Sequence, residues 1–158
     1  GPILWQFMPP KPFDADEFRA FLAMLPASHA GIPLRHAVQV RHASFAVPEF
    51  VALARAAGVA IVYGQSARYP ALADVTGDFV YVRLESAEER FPQGYSDEAL
   101  DGWAGAARLW AAGGAPEGLP CAGVEPVPKT PREVFVFFIN GAKVRAPAAA
   151  QALLARLG

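Results

Sequence analysis

Several apolar runs in this chain end in polar residues. Gln39-Val40-Arg41-His42 closes one such run and Arg83-Leu84-Glu85 another, while Gln6 ends the first and Asn140 follows the last. Side chains alternate across a strand, so Gln39 and Arg41 share a face opposite Val38 and Val40, and Tyr81, Arg83 and Glu85 share one opposite Val80, Val82 and Leu84. By the same parity Gln6 goes with Leu4, and Asn140 continues the face of Val134, Val136 and Phe138. If the strands are parallel, their polar ends converge at the carboxyl edge of the sheet, where sites of β/α barrels are built. Two guanidinium groups there call for negative charge, because a buried cation left unpaired costs several kcal/mol. The pattern therefore predicts a small anionic ligand held by Arg41 and Arg83, with Gln6, Gln39, Glu85 and Asn140 around it. A purely structural network competes with this, in which Arg41 pairs with Glu85 and Arg83 donates to a backbone carbonyl.

The remaining chemistry-bearing residues divide by position. His42, next to Arg41, is the candidate for moving a proton near neutral pH, against the plainer role of capping a loop. His29 and His36 fall before or at the start of the second strand, at the opposite end of the sheet. Arg68 and Tyr69, within Ser66-Ala67-Arg68-Tyr69-Pro70, lie in the loop after the third strand and either contact a ligand or pack that loop. Lys143 and Arg145 add positive charge after the last strand. Three scattered histidines and the single Cys121 have no metal-ligand spacing, and the first strand runs into Pro9-Pro10 where a nucleotide site wants a glycine-rich turn, so no metal or cofactor is expected.

The elements that would position these groups alternate strand and helix. Residues 3–7 form an apolar run stopped by Met8-Pro9-Pro10. Asp14 and Glu17 then make a capping-box pattern, with Phe13 and Phe18 as a hydrophobic staple and Phe18, Phe21, Leu22 and Leu25 as one stripe. A second strand over 35–41 leads to a helix opened by Pro48, which carries Phe50, Leu53, Ala54 and Ala57 and is ended by Gly58. Strands over 59–63 and 79–84 follow. Ser96, with Asp97 and Glu98 behind it, caps a helix that turns Leu100, Trp103, Ala104, Ala107 and Trp110 inward. The fifth strand covers 133–139, and Pro147 opens a last helix docked by Leu153, Leu154 and Leu157. Residues 113–132, rich in Gly and Pro and without a period, form a surface excursion or a disordered stretch.

This rhythm predicts a single α/β domain over 1–158, a parallel sheet of five βα units that reads as an incomplete TIM-type barrel, with a flavodoxin-like doubly wound sheet as the rival. The 53% of hydrophobic residues against 18% charged suits a sheet covered on both faces. A net charge of -1 supplies no basic face for nucleic acid or anionic membrane, and no run nears the roughly 20 apolar residues of a membrane span. One cysteine excludes an intrachain disulfide, and the chain reads as cytoplasmic.

Taken in order, Gly1-Pro2-Ile3-Leu4-Trp5-Gln6, His36-Ala37-Val38-Gln39-Val40-Arg41-His42, Ser66 to Pro70, Tyr81-Val82-Arg83-Leu84 and Gly94-Tyr95-Ser96 resemble the domain of unknown function 72 family, also called YecE-like. The resemblance implies a complete parallel β/α barrel of which these motifs form the later strands, about three initial βα units being absent. It carries over Arg41, His42, Arg83, Asn140 and Lys143 as candidate site residues. It also marks departures: Gln39 stands where the family pattern has glutamate, Gln65 where it has aspartate, Glu85-Ser86 where it has His-Gly, and Ile139-Asn140-Gly141 where it has Asn-Asn-Asp. Such losses would remove acid/base capacity while keeping the arginines, as in a diverged enzyme acting on a small anion. The alternative is a noncatalytic binding or assembly module whose barrel is completed by another chain, by self-association, or by a missing segment of a longer product.

Overall fold

The computed structural model describes residues 1–139 and 141–158. Five parallel strands form the central sheet: β1 (Ile3–Gln6), β4 (His36–Gln39), β5 (Ala60–Gln65), β6 (Phe79–Leu84) and β7 (Glu133–Phe138). A two-residue antiparallel hairpin, β2 (Ser28–His29) and β3 (Ile32–Pro33), sits between the first two of them, and its turn carries positive φ at Ala30 (48°) and Gly31 (78°). The sequence pattern misses this hairpin because it buries nothing. Spatial order in the main sheet follows chain order, β1-β4-β5-β6-β7, with no reversal. A flavodoxin-like sheet requires a reversal, so the doubly wound rival fails. The sheet is open, with β1 and β7 as its edges.

The helices start where their caps dictate. In α1 (Ala15–Met24) the Asp14 carboxylate accepts from the Glu17 N–H at 2.9 Å, and the staple partners Phe13 and Phe18 lie 6.2 Å apart between ring centroids. Pro48 opens α2 (Pro48–Ala56), and the Ser96 hydroxyl accepts from Ala99 N–H to open α3 (Asp97–Ala111). The last helix, α4 (Ala146–Leu157), is docked by Ala149 and Leu153; Leu154 and Leu157, expected to join them, face outward at 65% and 37% exposure. Ala148, Ala149 and Ala150 follow one another in its first turns, so the buried stripe is narrow and Leu153 is the one long side chain in it.

The two faces of the sheet differ. On the helix side Val38, Val40 and Ile61 pack with Phe18, Phe45 and Phe50, and Tyr63, Val80, Val82 and Leu84 pack with Leu100, Trp110 and Leu153. Val134, Val136 and Phe138, the residues whose parity Asn140 continues, belong to this second cluster, so that face turns toward the helices; Asn140 itself lies outside the described residues. The opposite face carries Ala37, Ala60, Val62, Phe79 and Tyr81, with Leu4 and Phe135 against them. At its amino end Arg35 forms an ion pair with Glu133 and lies over the Phe79 and Phe135 rings, 5.3 and 5.2 Å from their centroids. The pair reaches from just before β4 to the start of β7, past two intervening strands. At the same end His36 accepts from the Trp5 indole N–H at 3.1 Å through Nδ1 and meets the Pro26 carbonyl at 2.9 Å through Nε2, so both ring nitrogens are engaged in holding the fold.

Residues 113–132 are an excursion folded back on the domain. Arg132, 8% exposed, directs its guanidinium to the carbonyls of Trp110, Gly113, Gly114 and Pro128, so a buried cation caps the negative end of α3 through carbonyl oxygens. The buried Asp74 carboxylate accepts from Ala122 N–H (2.9 Å) and Gly123 N–H (2.8 Å), which ties the middle of the excursion to the segment preceding β6.

Candidate functional site

The carboxyl ends of β1, β4, β5 and β6 meet in one polar layer. Register sets Gln6 beside Gln39 and Gly64 beside Arg83. The Gln6 amide donates to Oε1 of Gln39 at 2.8 Å, and Nη1 of Arg83 donates to the same oxygen. Gln39 is 4% exposed, and its amide crosses β5 at Gly64, where a Cβ would stand 3.1 Å from Gln39 Nε2. The absent side chain at 64 therefore lets one carbonyl oxygen gather donors from β1 and β6. Arg83 thus donates to a side-chain carbonyl, which corrects the backbone partner of the structural-network reading. Burial is the chief influence on the Arg83 guanidinium and lowers its pKa; Glu85 and Tyr81 oppose that shift, and Arg41 adds to it by like-charge repulsion.

Beyond this layer lies a cleft of about 510 Å³ whose wall includes Arg41, Gln65, Ser66, Arg68, Tyr69 and Glu85. The Arg41 and Arg68 guanidinium carbons sit 5.1 and 5.5 Å from the centroid of the Tyr69 ring, which holds two cations without neutralising either. Two buried atoms in this wall, Nε of Arg41 and Oε1 of Gln65, have no hydrogen-bond partner among the described residues. Behind Glu85, the Ser86 N–H donates to the Tyr95 hydroxyl oxygen at 3.1 Å. Burial pushes the Tyr95 phenol up to about 12, so it stays protonated.

The model of a family described as protein of unknown function DUF72 matches residues 1–158. The chain belongs to the DUF72 family. Among solved structures, a DUF72 family protein from Enterococcus faecalis V583 is similar at TM-score 0.63 and 14% identity over 99% of this chain and 58% of that one. One from Thermotoga maritima MSB8 is similar at TM-score 0.61 and 20% identity over 96% and 54%. A second crystal structure of the Enterococcus protein gives 0.59 and 15%, over 99% and 59%. This chain thus spans little more than half the length of those relatives, and at such identities the likeness is one of fold. No curated protein matches it.

Within this DUF72 chain the residues singled out by sequence fall into two groups. Gln6, Gln39 and Arg83 form the layer under the cleft, while Arg41, Arg68 and Glu85 line the cleft itself. His42 and Lys143 are not part of its wall. Nδ1 of His42 accepts from Ser44 N–H at 3.2 Å and lies 2.7 Å from Ser44 Oγ, so the ring caps the turn Ala43–Phe45; Lys143 is exposed in the turn Lys143–Arg145. Gln65 is the wall residue that strand parity misses, because it lies at the very end of β5 on the helix-facing parity; only its place in the family pattern marks it.

Proposed function

We propose that this chain binds a small anionic ligand in the cleft at the carboxyl ends of its parallel strands. The observation that carries the reading is the meeting of Arg41 and Arg68 on one ring, with Arg83 electrostatically coupled to Arg41 from below, in a wall where Glu85 is the carboxylate. An anion entering between Arg41 and Arg68 gains charge-assisted hydrogen bonds and relieves the repulsion that Arg83 feels. The unreversed strand order supports reading the sheet as part of a β/α barrel, whose mouth this cleft would occupy. With His42 committed to a turn through Nδ1, the geometry favours binding over any particular reaction, and the single exposed Cys121 suits a reducing cytoplasm. The test is calorimetric titration with methyl phosphate at fixed ionic strength. Saturable binding that Arg41→Met abolishes at unchanged melting temperature supports the reading; no binding, or loss of binding in step with melting temperature, rejects it.

A second reading, an assembly module whose sheet is completed by another chain or copy, draws on the open edges. Phe137 on the edge strand β7 is 40% exposed and stacks on Tyr81 at 4.7 Å between centroids, a flat apolar border of the kind that pairs. Light scattering across a concentration series decides it: a monomer at all concentrations counts against this reading, and a defined oligomer favours it.

A further inference from the structure

We infer that the ligand of this cleft is an anion carrying its own hydrogen-bond donor, a hydroxyl or an ammonium group close to the charged one. This rests on the anion-binding reading above and narrows it. The cleft wall holds two chemically opposite kinds of group. Arg41 and Arg68, grouped on Tyr69, offer only donors, and Nε of Arg41 is buried without a partner among the described residues. The ends of the adjacent strands β5 and β6 bring acceptors to the same wall: the buried Oε1 of Gln65, also without a partner among the described residues, and the Glu85 carboxylate.

A simple anion satisfies the donors and is repelled by the Glu85 carboxylate. It gains nothing from the Gln65 oxygen, which stays as unpaired as in the free protein. A ligand with a donor close to its anionic group satisfies both kinds of group at once. Glu85 need not be otherwise disengaged, because a carboxylate has about four lone-pair sites and serves a protein cation and a ligand donor together. The cleft volume of about 510 Å³ accommodates a molecule of this size with room for further atoms.

The experiment compares three phosphate monoesters by calorimetry on the full chain: methyl phosphate, which has no added donor, glycerol phosphate, which adds hydroxyls, and phosphoethanolamine, which adds an ammonium. At least one donor-bearing ester is expected to bind about tenfold or more tightly than methyl phosphate, the scale of one well-placed hydrogen bond. Gln65→Met, which keeps the volume and removes the acceptor, is expected to erase most of that advantage, so that the donor-bearing esters and methyl phosphate bind alike. Glu85→Gln is expected to weaken phosphoethanolamine more than glycerol phosphate, and so separates the two donor types. If methyl phosphate binds as tightly as both other esters, or if the advantage survives Gln65→Met, the inference is overturned while anion binding stands. If no ester binds, the anion reading falls and takes the inference with it.

Discussion

Replacing Gln39 by leucine tests whether the layer beneath the cleft is a network or a set of coincident contacts. Gln39→Leu removes the oxygen that accepts from both Gln6 and Arg83. Gln6 is exposed and regains water, so its lost bond costs about 0.5 kcal/mol. Arg83 is partly buried and its bond is charge-assisted, worth about 1.5 to 3 kcal/mol. The apolar replacement returns a fraction of this at a site already 4% exposed, leaving a net loss of about 2 kcal/mol. With a urea slope of ~2 kcal/mol per M, the unfolding midpoint should fall by ~1 M. Arg83→Met should cost less in the Gln39→Leu background than alone, since the guanidinium then has no acceptor to lose, giving a coupling of about 1 kcal/mol or more in the double-mutant cycle. Additive effects within ~0.3 kcal/mol, or a single-mutant midpoint shift under ~0.2 M, would refute the idea that Gln39 holds Arg83 in place.

The excursion and the cleft wall give further expected outcomes. Arg132→Met should destabilise by about 3 kcal/mol in urea titration, because it strips the Trp110, Gly113 and Gly114 carbonyls at the end of α3 and the Pro128 carbonyl of the excursion of their shared donor, and Arg132→Lys should recover less than half of that, lacking the planar fork. In the same titration Gly113→Ala should cost about 2 kcal/mol or more: the residue sits at φ 94° and a Cβ would lie 2.8 Å from the Thr130 nitrogen. The phenol of Tyr95 binds its proton more tightly folded (about 12) than unfolded (10.0), so between those values the native state holds more protons and stability falls as pH rises; the loss is about 3 kcal/mol, complete near pH 12, and Tyr95→Phe should flatten the decline in a pH series of urea titrations. Gln39→Glu should set a carboxylate against Arg83 and reduce methyl phosphate affinity about tenfold in calorimetry, by supplying in the protein the charge the ligand would bring.

The elements are legible in the sequence because their signals are local. The Asp14 and Ser96 caps, Pro48 and Pro147, and the alternation in Phe79–Leu84 each act within a few residues of where they are read. Information that depends on register is not legible in this way. Pairing sets Val136 against Val82 and Phe138 against Leu84, which turns these side chains of β7 toward the helices, a direction that β7 read alone does not give. No local rule says that a glutamine two strands away will reach Arg83, so a backbone partner is the natural expectation; the actual contact needs β4 and β6 to flank a strand with glycine at position 64. Gln65 is a similar case: on its own strand it has the wrong parity for the open face, and only the turn of the chain into Ser66–Tyr69 brings it into the wall. Strand identity is written in each segment, whereas the site is written in the spacing between segments, so residues such as Gly64 and Gln65 acquire meaning only when the neighbouring strands are in place. The anion reading accordingly rests on Arg41 and Arg68 meeting at Tyr69, and its refinement on Gln65 and Glu85, groups that come from the ends of β4, β5 and β6 and the loop after β5.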